Sequence, residues 1–314
     1  MRAIPLLMLL SGWVVLPAHA ADAQDWLDRL AHAEQQQSFQ GTFIYERNGS
    51  FSTQEIWHRV AAGEVRERVF QLDGPPQEAL RVNGQPQCIS GGLVSGLEQV
   101  PSASPRVFDA KKLSAFYDLK VIGGSRVAGR DVVIISLSPR DPHRYGFELS
   151  LDEQTALPLK SVMVSDNGQL LERFQYVRMD TSSSMADSDV APGNQCQKVV
   201  PAVRQHTVTP WRSEWVPDGF TLTDTRLVKV ADASKPVTSL LFDDGLSRFS
   251  VFIEPLEGNK AEEARTQLGP TAALSRHIAS STGEAMVTVV GEIPMGTAER
   301  IALSMRDTPV QSSP

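Results

Sequence analysis

Cysteine is scarce in this chain of 314 residues, which contains only Cys88 and Cys196. The two lie far apart in the sequence, so the chain has no CxxC motif. Dithiol redox enzymes work through two cysteines held close together. The sequence therefore gives no support to oxidoreductase chemistry.

Histidine is also sparse, and none of the six histidines stands in HxH, HxxxH or HExxH spacing. Such spacings place two imidazoles beside one metal ion, so a local metal site is not expected. The GxSxG nucleophile elbow of serine hydrolases is absent as well. Asp243 and Asp244 resemble an acid–base pair, but turn formation alone explains a DDG sequence between two predicted strands. We expect no enzyme, no metal and no cofactor.

Positive charge is in deficit, because 30 Lys and Arg against 37 Asp and Glu give a formal net charge of −7. Proteins that bind nucleic acid without regard to sequence present a basic face. Anionic lipid surfaces likewise attract basic segments. The charge balance disfavours nucleic acid as a partner and gives no overall reason for binding to an anionic membrane surface.

Long apolar runs are absent except near the N-terminus, where Ile4 to Leu16 follow the positively charged Arg2. Ala18-His19-Ala20 then provides the small-x-small pattern that signal peptidase cleaves. The run is shorter than the ~20 apolar residues of a membrane-spanning helix. No cysteine lies near the cleavage point for lipid attachment. We predict a signal peptide at residues 1–20 and a soluble mature protein in the periplasm.

In an exported chain, two cysteines most simply form one disulfide. A bond between Cys88 and Cys196 would close a loop of more than about 100 residues and stabilise the fold by about 4 kcal/mol in the chain-entropy model. It would also tie the first domain to the segment that follows it. Two free, buried thiols are the alternative.

The pattern of residues 21–180 predicts a helix followed by a large antiparallel sheet. Trp26, Leu27, Leu30 and Ala33 form one apolar stripe at helical spacing within residues 22–37. Alternating apolar residues then begin at Ser38, and turn signals such as Asn48-Gly49 and Asp166-Asn167-Gly168 separate successive strands. A second helix is predicted over residues 108–119. Strands joined at this regular spacing indicate a curled or barrel-like sheet.

Composition changes at Asp180, after which small and polar residues dominate. We interpret residues 181–205 as a linker and residues 206–310 as a smaller α+β domain. This domain is predicted to contain a hairpin around Asp243-Asp244-Gly245, a second hairpin over residues 272–290, and a terminal helix over residues 297–305.

Seven stretches along the chain are distinctive when taken together. They are SFQGTFIY (residues 38–45), PRDPHRYGF (139–147), Leu151-Asp152, LPLKS (157–161), WVPDGF (215–220), DGLSRFSVF (244–252) and VTVVGEIP (287–294). Together they span nearly the whole mature chain, and any one alone would be weak. They resemble the MucB/RseB family, the periplasmic regulators of envelope-stress sigma factors.

The resemblance implies an N-terminal domain similar to the lipoprotein carriers LolA and LolB, an unclosed antiparallel β-barrel with helices on its concave side. It also implies binding to the periplasmic domain of a transmembrane anti-sigma factor, which hinders regulated proteolysis of that factor. Lipid or lipopolysaccharide signals would release the protein. The alternative is a LolA-type lipid or lipoprotein carrier, but carriers of that type end after one barrel. Oligomeric state, including a homo-oligomer, is left open.

Candidate contact residues follow from residue type. Trp211, Trp215 and Phe220 are candidate aromatic anchors for the partner, with an ordinary core role as the alternative. Candidates for a lipid-facing cavity, each of which could equally be core, are Phe43, Trp57, Phe70, Leu113, Phe116 and Arg144. Arg144 would meet an anionic head group, or alternatively pair with Asp141 or Asp152. The linker is the expected hinge, unless a Cys88–Cys196 bond limits its movement.

Overall fold

The computed structural model describes residues 18–90, 109–199, 209–228, 236–256, 262–281 and 283–307. Of the predicted signal peptide, only residues 18–20 lie within these ranges, and they belong to the first helix. Within the described part of the chain, no helix is both long and apolar enough to cross a membrane.

The first domain is built on one sheet of eleven strands, with every neighbouring pair antiparallel. Its helices are α1 (Ala18–Gln36) and α2 (Ala110–Ser114). Its strands are β1 (Phe39–Arg47), β2 (Ser50–Ala61), β3 (Glu64–Gln71), β4 (Glu78–Val82), β5 (Gln85–Ile89), β6 (Tyr117–Val127), β7 (Arg130–Pro139), β8 (Gly146–Asp152), β9 (Pro158–Val164), β10 (Leu170–Asp180) and β11 (Gln197–Lys198). The spatial order is β11-β5-β4-β3-β2-β1-β10-β9-β8-β7-β6, so β11 and β6 are edges and the sheet is unclosed.

The sheet curves around α1. The buried Leu27 and Leu30 of this helix pack with β6, β7 and β8, whereas Ala33 packs with β1, β2 and β3. One helix therefore contacts both halves of the same sheet face, which makes that face concave. Of the apolar stripe predicted for α1, Leu27, Leu30 and Ala33 are buried there and Trp26 is half-buried. The predicted unclosed sheet with helices on its concave side is confirmed.

Tight turns set the strand order in the first half of the sheet. Asn48-Gly49 connects β1 and β2 with positive φ at both residues, 57° and 70°. Such a turn matches the twist of the two strands and favours Asn-Gly. The predicted hairpin at this position is confirmed.

The second helix is shorter than predicted. Asp109 caps α2 by accepting a hydrogen bond from the backbone N–H of Lys112. The helix ends at Ser114, and Tyr117 already pairs with Pro139 as the first residue of β6. The predicted continuation to residue 119 is wrong because strand pairing takes over.

The second domain contains a six-stranded antiparallel sheet in the order β13-β14-β15-β18-β17-β16. Its elements are β12 (Trp211–Ser213), β13 (Thr221–Val228), β14 (Val237–Asp243), β15 (Arg248–Leu256), β16 (Ala264–Leu268), β17 (Thr271–Ser280), β18 (Gly283–Gly291), α3 (Met295–Ser304) and β19 (Met305–Asp307). Helix α3 buries Ala298, Ile301 and Ala302 in the core of this sheet. The smaller α+β domain and both predicted hairpins are confirmed.

The first part of the predicted linker lies against the first sheet, and we call residues 181–198 the strap. Cys196 of the strap forms a disulfide with Cys88 of β5, with a Cα–Cα distance of 5.3 Å. Val190 is buried, and the backbone N–H of Gly193 donates to Glu78 of β4 at 2.9 Å. The strap is therefore part of the first domain, and any hinge must follow Lys198.

Candidate functional site

The two domains meet where a turn of the second domain enters the core of the first. Leu246, in the turn between β14 and β15, is 3% exposed and belongs to the apolar cluster that contains Leu113 and Tyr117. Since Leu246 belongs to the second domain and that cluster to the first, its burial depends on the docking of the two domains. We call this region the interdomain contact.

Asp244 anchors that turn and also crosses the contact. Its Oδ1 atom accepts the backbone N–H groups of Leu246 at 2.8 Å and Ser247 at 2.7 Å. Its Oδ2 atom accepts from Nη1 of Arg144 at 2.9 Å and from the Tyr117 hydroxyl at 3.3 Å. One carboxylate thus shapes a turn in its own domain and binds a cation in the other.

Arg144 is enclosed at this position. The side chains of Arg144 and Asp244 are both 0% exposed. Nη2 of Arg144 donates to the backbone carbonyl of Asp218 at 2.5 Å, and its other contacts include the carboxylate of Asp141 at 2.9 Å. The guanidinium carbon also lies 5.2–5.5 Å from the ring centres of three aromatic residues, which are Phe116, Tyr117 and Phe220.

Burial raises the pKa of Tyr117, and the nearby charge of Asp244 raises it further. The tyrosine hydroxyl therefore keeps its proton and remains a hydrogen-bond donor to Asp244. Of the two pairings weighed for Arg144, the one with Asp141 is confirmed. The one with Asp152 is wrong, because Asp152 pairs with Arg130 at 2.5 Å.

A glycine lets the backbone of the second domain approach the first. Gly219 has φ +91°, and a Cβ at this residue would lie 2.5 Å from the ring of Phe116. A larger residue would meet both a strained backbone and a steric clash. Gly219 stands next to Asp218, so it also places the carbonyl that Arg144 binds.

Two flanking contacts are more exposed. The His143 ring packs edge-on against Trp215 with centres 5.0 Å apart, and its Nδ1 lies 3.2 Å from Oγ1 of Thr297. Further along, Arg47 at the end of β1 contacts Thr271 and Glu292 of the second domain. The side chains of Arg47 and Glu292 are 20% and 19% exposed.

Two of the three candidate partner anchors, Trp215 and Phe220, contact the first domain, whereas the contacts of Trp211 lie within the second domain. Phe220 is 5% exposed and packs on Phe249 in the second core, as well as facing Arg144. Trp211 and Trp215 are half-buried against the same core, and the Arg300 guanidinium lies 3.8 Å from the Trp215 ring centre. Their role in partner binding stays a prediction.

The six candidate cavity residues fall into three groups. Phe43 lies on the concave face, with its ring 4.8 Å from Phe174. Trp57 and Phe70 alternate with the inward-facing Ile56 and Val69, so they lie on the opposite, outer face. Leu113, Phe116 and Arg144 belong to the interdomain contact. The structure does not bring the six together, and lipid binding by any of them stays a prediction.

Sequence reasoning missed a buried polar cluster beneath the end of α1. His58 lies with Nε2 2.7 Å from the backbone oxygen of Glu34 and Nδ1 3.5 Å from Glu67. Arg81 donates to the other oxygen of Glu67 at 2.9 Å. Alternation along β2 and β3 placed His58 and Glu67 on the same face as Ile56, which was the available signal. Among the described residues, no group of His, Cys, Asp and Glu could hold a metal ion.

Burial raises the pKa of Glu34 well above its ordinary value, and the neighbouring charge of Glu67 raises it further. Oε2 of Glu34 is buried and has no hydrogen-bond partner among the described residues. Burial alone would raise the pKa of Glu67, but hydrogen bonding to His58 and the charge of Arg81 outweigh it and lower that pKa. The pKa values of two neighbouring buried carboxyl groups are thus shifted in opposite directions.

Fold and contact together define a two-domain protein in which an open antiparallel sheet, wrapped around a helix, carries a docked second sheet. Family models agree with this division, because the MucB/RseB N-terminal domain matches residues 22–194 and the MucB/RseB C-terminal domain matches residues 205–306. The chain belongs to the MucB/RseB family, which confirms the resemblance found in the sequence.

Known relatives extend over nearly the whole chain. The sigma factor AlgU regulatory protein MucB of Pseudomonas aeruginosa is 54% identical, over 98% of this chain and 98% of that protein. The sigma-E factor regulatory protein RseB of Escherichia coli K12 is 27% identical, over 89% of each chain.

Solved structures of MucB show the same fold. The Pseudomonas aeruginosa MucA/MucB complex matches with a TM-score of 0.83 at 53% identity, over 92% of this chain and 100% of the matched chain. MucB in complex with MucA(peri) matches with a TM-score of 0.81 over the same shares. A further crystal structure of MucB matches with a TM-score of 0.71, over 92% of this chain and 98% of that one.

Proposed function

We propose that this chain is a periplasmic regulatory protein that binds the periplasmic segment of a membrane anti-sigma factor. Bound there, it shields the segment from the protease that begins sigma-factor release. The observation that carries the proposal is the likeness to the MucA complexes of MucB at 53% identity. It spans both domains, because the matched chains are covered in full.

The arrangement of the two domains supports the same proposal. The chain superposes on the two MucA complexes with TM-scores of 0.83 and 0.81, against 0.71 for the third MucB structure. We infer that the arrangement held by Arg144 and Asp244 is the one that binds the partner. A protein that binds only in one arrangement has its apparent affinity reduced by the fraction of molecules in other arrangements.

The N-terminal pattern and the disulfide support a periplasmic location. Residues 1–20 have the composition of a signal peptide, and disulfides persist in the oxidising periplasm rather than in the cytosol. Both observations fit a protein that meets its partner outside the inner membrane.

Calorimetric titration tests the proposal. The chain without residues 1–20 is titrated with the periplasmic segment of the host's stress anti-sigma factor. We expect saturable one-to-one binding in the micromolar range or tighter. We also expect slower cleavage of the bound segment by the protease that begins sigma-factor release. Absence of binding by a folded sample would remove the proposal and favour the lipid carrier, which lipid extraction of the purified protein would then reveal.

Trp211 and Trp215 remain our candidate anchors for the partner, since both keep part of their surface exposed at the start of the second domain. Truncating a central aromatic anchor of an interface weakens binding by about 2 kcal/mol or more. Trp211→Ala is the test, and Phe51→Ala is the matched control, since Phe51 is 69% exposed on the first sheet. Equal affinities of the two variants would remove Trp211 from the interface.

We also propose that an acyl chain releases the partner, because each buried methylene contributes about 0.8 kcal/mol and antagonism follows if the two ligands favour different arrangements. Phe43 and Leu113 remain candidate lining residues on the concave face. Titration with lipid A in the presence and absence of the anti-sigma segment tests this proposal, and unchanged affinity for the segment would reject it.

A further inference from the structure

We propose that Arg144 and Asp244 form a latch that sets the arrangement of the two domains, and through it the affinity for the anti-sigma segment. The first half of the proposal depends only on the structure. The second half rests on the proposed function. Both residues position the two domains and do not themselves contact the anti-sigma segment in this proposal.

Burial makes the latch cooperative. The two charges come from different domains, and both side chains are 0% exposed in the docked arrangement. Removal of one partner of a buried ion pair leaves an uncompensated charge in a poorly hydrated site, which costs far more than the pair contributes when intact. Partly opened arrangements that keep one charge buried are therefore disfavoured, and the contact is expected to be either closed or open.

The surroundings of Arg144 select arginine. Its planar guanidinium meets Asp141 on its own domain, and Asp244 and the carbonyl of Asp218 on the other. Lysine carries a single point charge and cannot serve three acceptors in a fixed plane. The aromatic rings of Phe116 and Phe220, one from each domain, also face the guanidinium. All of these contacts to the second domain are lost together on opening.

One substitution at Asp244 removes its charge and preserves its turn. Asp244→Asn keeps an oxygen for the backbone N–H groups of Leu246 and Ser247, so the turn is preserved. Its amide then turns two N–H donors toward Arg144 in place of a carboxylate oxygen. Arg144→Gln removes the other charge. The double variant R144Q/D244N places two neutral amides together, which can hydrogen-bond to each other.

Spin labels report the docked fraction directly. Cysteines replace Arg126, which is exposed on the first domain, and Leu303, which is 53% exposed on the second. The native cysteines are held in their disulfide, so they do not take up label. Double electron–electron resonance then measures the distribution of distances between the two spin labels in the full chain. Calorimetry measures binding of the anti-sigma segment to the same proteins.

We expect D244N and R144Q each to lower the equilibrium constant for docking by about 100-fold, which equals about 2.8 kcal/mol at 1.4 kcal/mol per factor of ten. The distance distribution should broaden to longer values. The double variant should recover a docked peak. Arg47→Gln, which removes a partly exposed contact across the same boundary, should leave the distribution unchanged.

The two readouts have to agree. If the docked arrangement alone binds the segment, the rise in Kd equals the measured fall in docked fraction. Undocking with unchanged Kd would overturn the coupling to the partner. Unchanged distances in both single variants would overturn the latch itself. If wild-type protein does not bind the segment while the single variants undock, the proposed function fails and the latch stands.

A fold defect is separated from undocking by near-ultraviolet circular dichroism and by the double variant. A variant that merely fails to fold loses its tertiary signal, and pairing it with the second substitution does not restore docking. Rescue by R144Q/D244N is expected only if the unpaired charge was the cause, and its absence would count against the latch.

Discussion

Two buried carboxyl groups in this molecule differ in almost every respect except burial. Asp244 is 0% exposed, and both of its oxygens accept hydrogen bonds. Glu34 is 3% exposed and leaves Oε2 without a hydrogen bond among the described residues. Asp244 meets a cation from the other domain, whereas the charge that acts on the pKa of Glu34 is the like charge of Glu67.

The difference shows that burial alone does not decide what a carboxyl group does. Desolvation disfavours the charged form at any buried site, and a close cation with good hydrogen bonds can offset it. At the interdomain contact the cation is present, so the carboxylate joins two domains. Beneath α1 no cation among the described residues offsets the desolvation of Glu34, so the pKa of that group is raised.

The largest difference between the two carboxyl groups should appear when each is changed to the corresponding amide. Asp244→Asn should lower the free energy of unfolding of the docked protein by about 3 kcal/mol, because Arg144 loses its fully buried carboxylate and keeps only that of the part-exposed Asp141. Urea unfolding monitored by tryptophan fluorescence measures the change. A loss below about 1 kcal/mol would show that Asp141 and hydration together compensate the buried cation.

Gly219→Ala tests the packing of the interdomain contact around Asp244 without changing a charged residue. The added Cβ would meet the ring of Phe116 at 2.5 Å and impose a positive φ on alanine. Overpacking and backbone strain together should cost about 2 kcal/mol. Faster hydrogen exchange at Leu246 and Ser247 would locate the damage at the contact. Gly296→Ala is the control, since a Cβ there meets nothing within 4 Å.

Glu34→Gln should change the free energy of unfolding in the opposite direction to Asp244→Asn. The pKa of Glu34 in the folded chain lies above its ordinary value of 4.5, because of burial and then the charge of Glu67. Its contribution to stability is therefore complete below pH 4.5 and is lost as the pH rises through the raised pKa. The glutamine variant avoids this loss and should be more stable than wild type at pH 8, on the order of 1 kcal/mol.

Urea midpoints at pH 4 and pH 8 check the Glu34 prediction. The two proteins should be alike at the lower pH, and the difference should grow toward the higher one. A glutamine variant that is less stable at both values would mean that Glu34 is held as a paired carboxylate. In that case the contrast with Asp244 would disappear.

The smallest effect is expected at the rim of the contact. Arg47 and Glu292 are oppositely charged across the same boundary as Arg144 and Asp244, but both are about one-fifth exposed, at 20% and 19%. Partly hydrated pairs contribute little, so Arg47→Gln should cost less than about 1 kcal/mol. Raising the salt concentration should shrink that difference further. A cost equal to that of Asp244→Asn would show that exposure does not separate the two pairs.

Much of the fold could be predicted from the sequence because local rules fix it. The turn at Asn48-Gly49 and the helical stripe of α1 follow from backbone preference and apolar spacing. Period-two alternation also shows that Trp57 faces away from Ile56. It does not show which face is concave, and residue type alone places Trp57 and Phe43 among the same cavity candidates.

The contact itself could be predicted only in part. The turn at Asp243-Asp244-Gly245 follows from local chemistry, and it explains one oxygen of Asp244. The other oxygen binds Arg144, which is 100 residues away. Such a pairing depends on how two separately folded sheets meet, and no local pattern encodes it. Glu34 was missed for a related reason, since a polar residue at the end of a helix normally faces water.

The strap has a consequence for how often the domains meet. The disulfide and β11 hold the chain to the first sheet as far as Lys198, and the described part of the second domain resumes at Thr209. Only the residues between these points separate the two domains. Short connections give effective concentrations in the millimolar range. Reassociation is therefore independent of dilution, and a domain that has come away does not have to find the other by free diffusion.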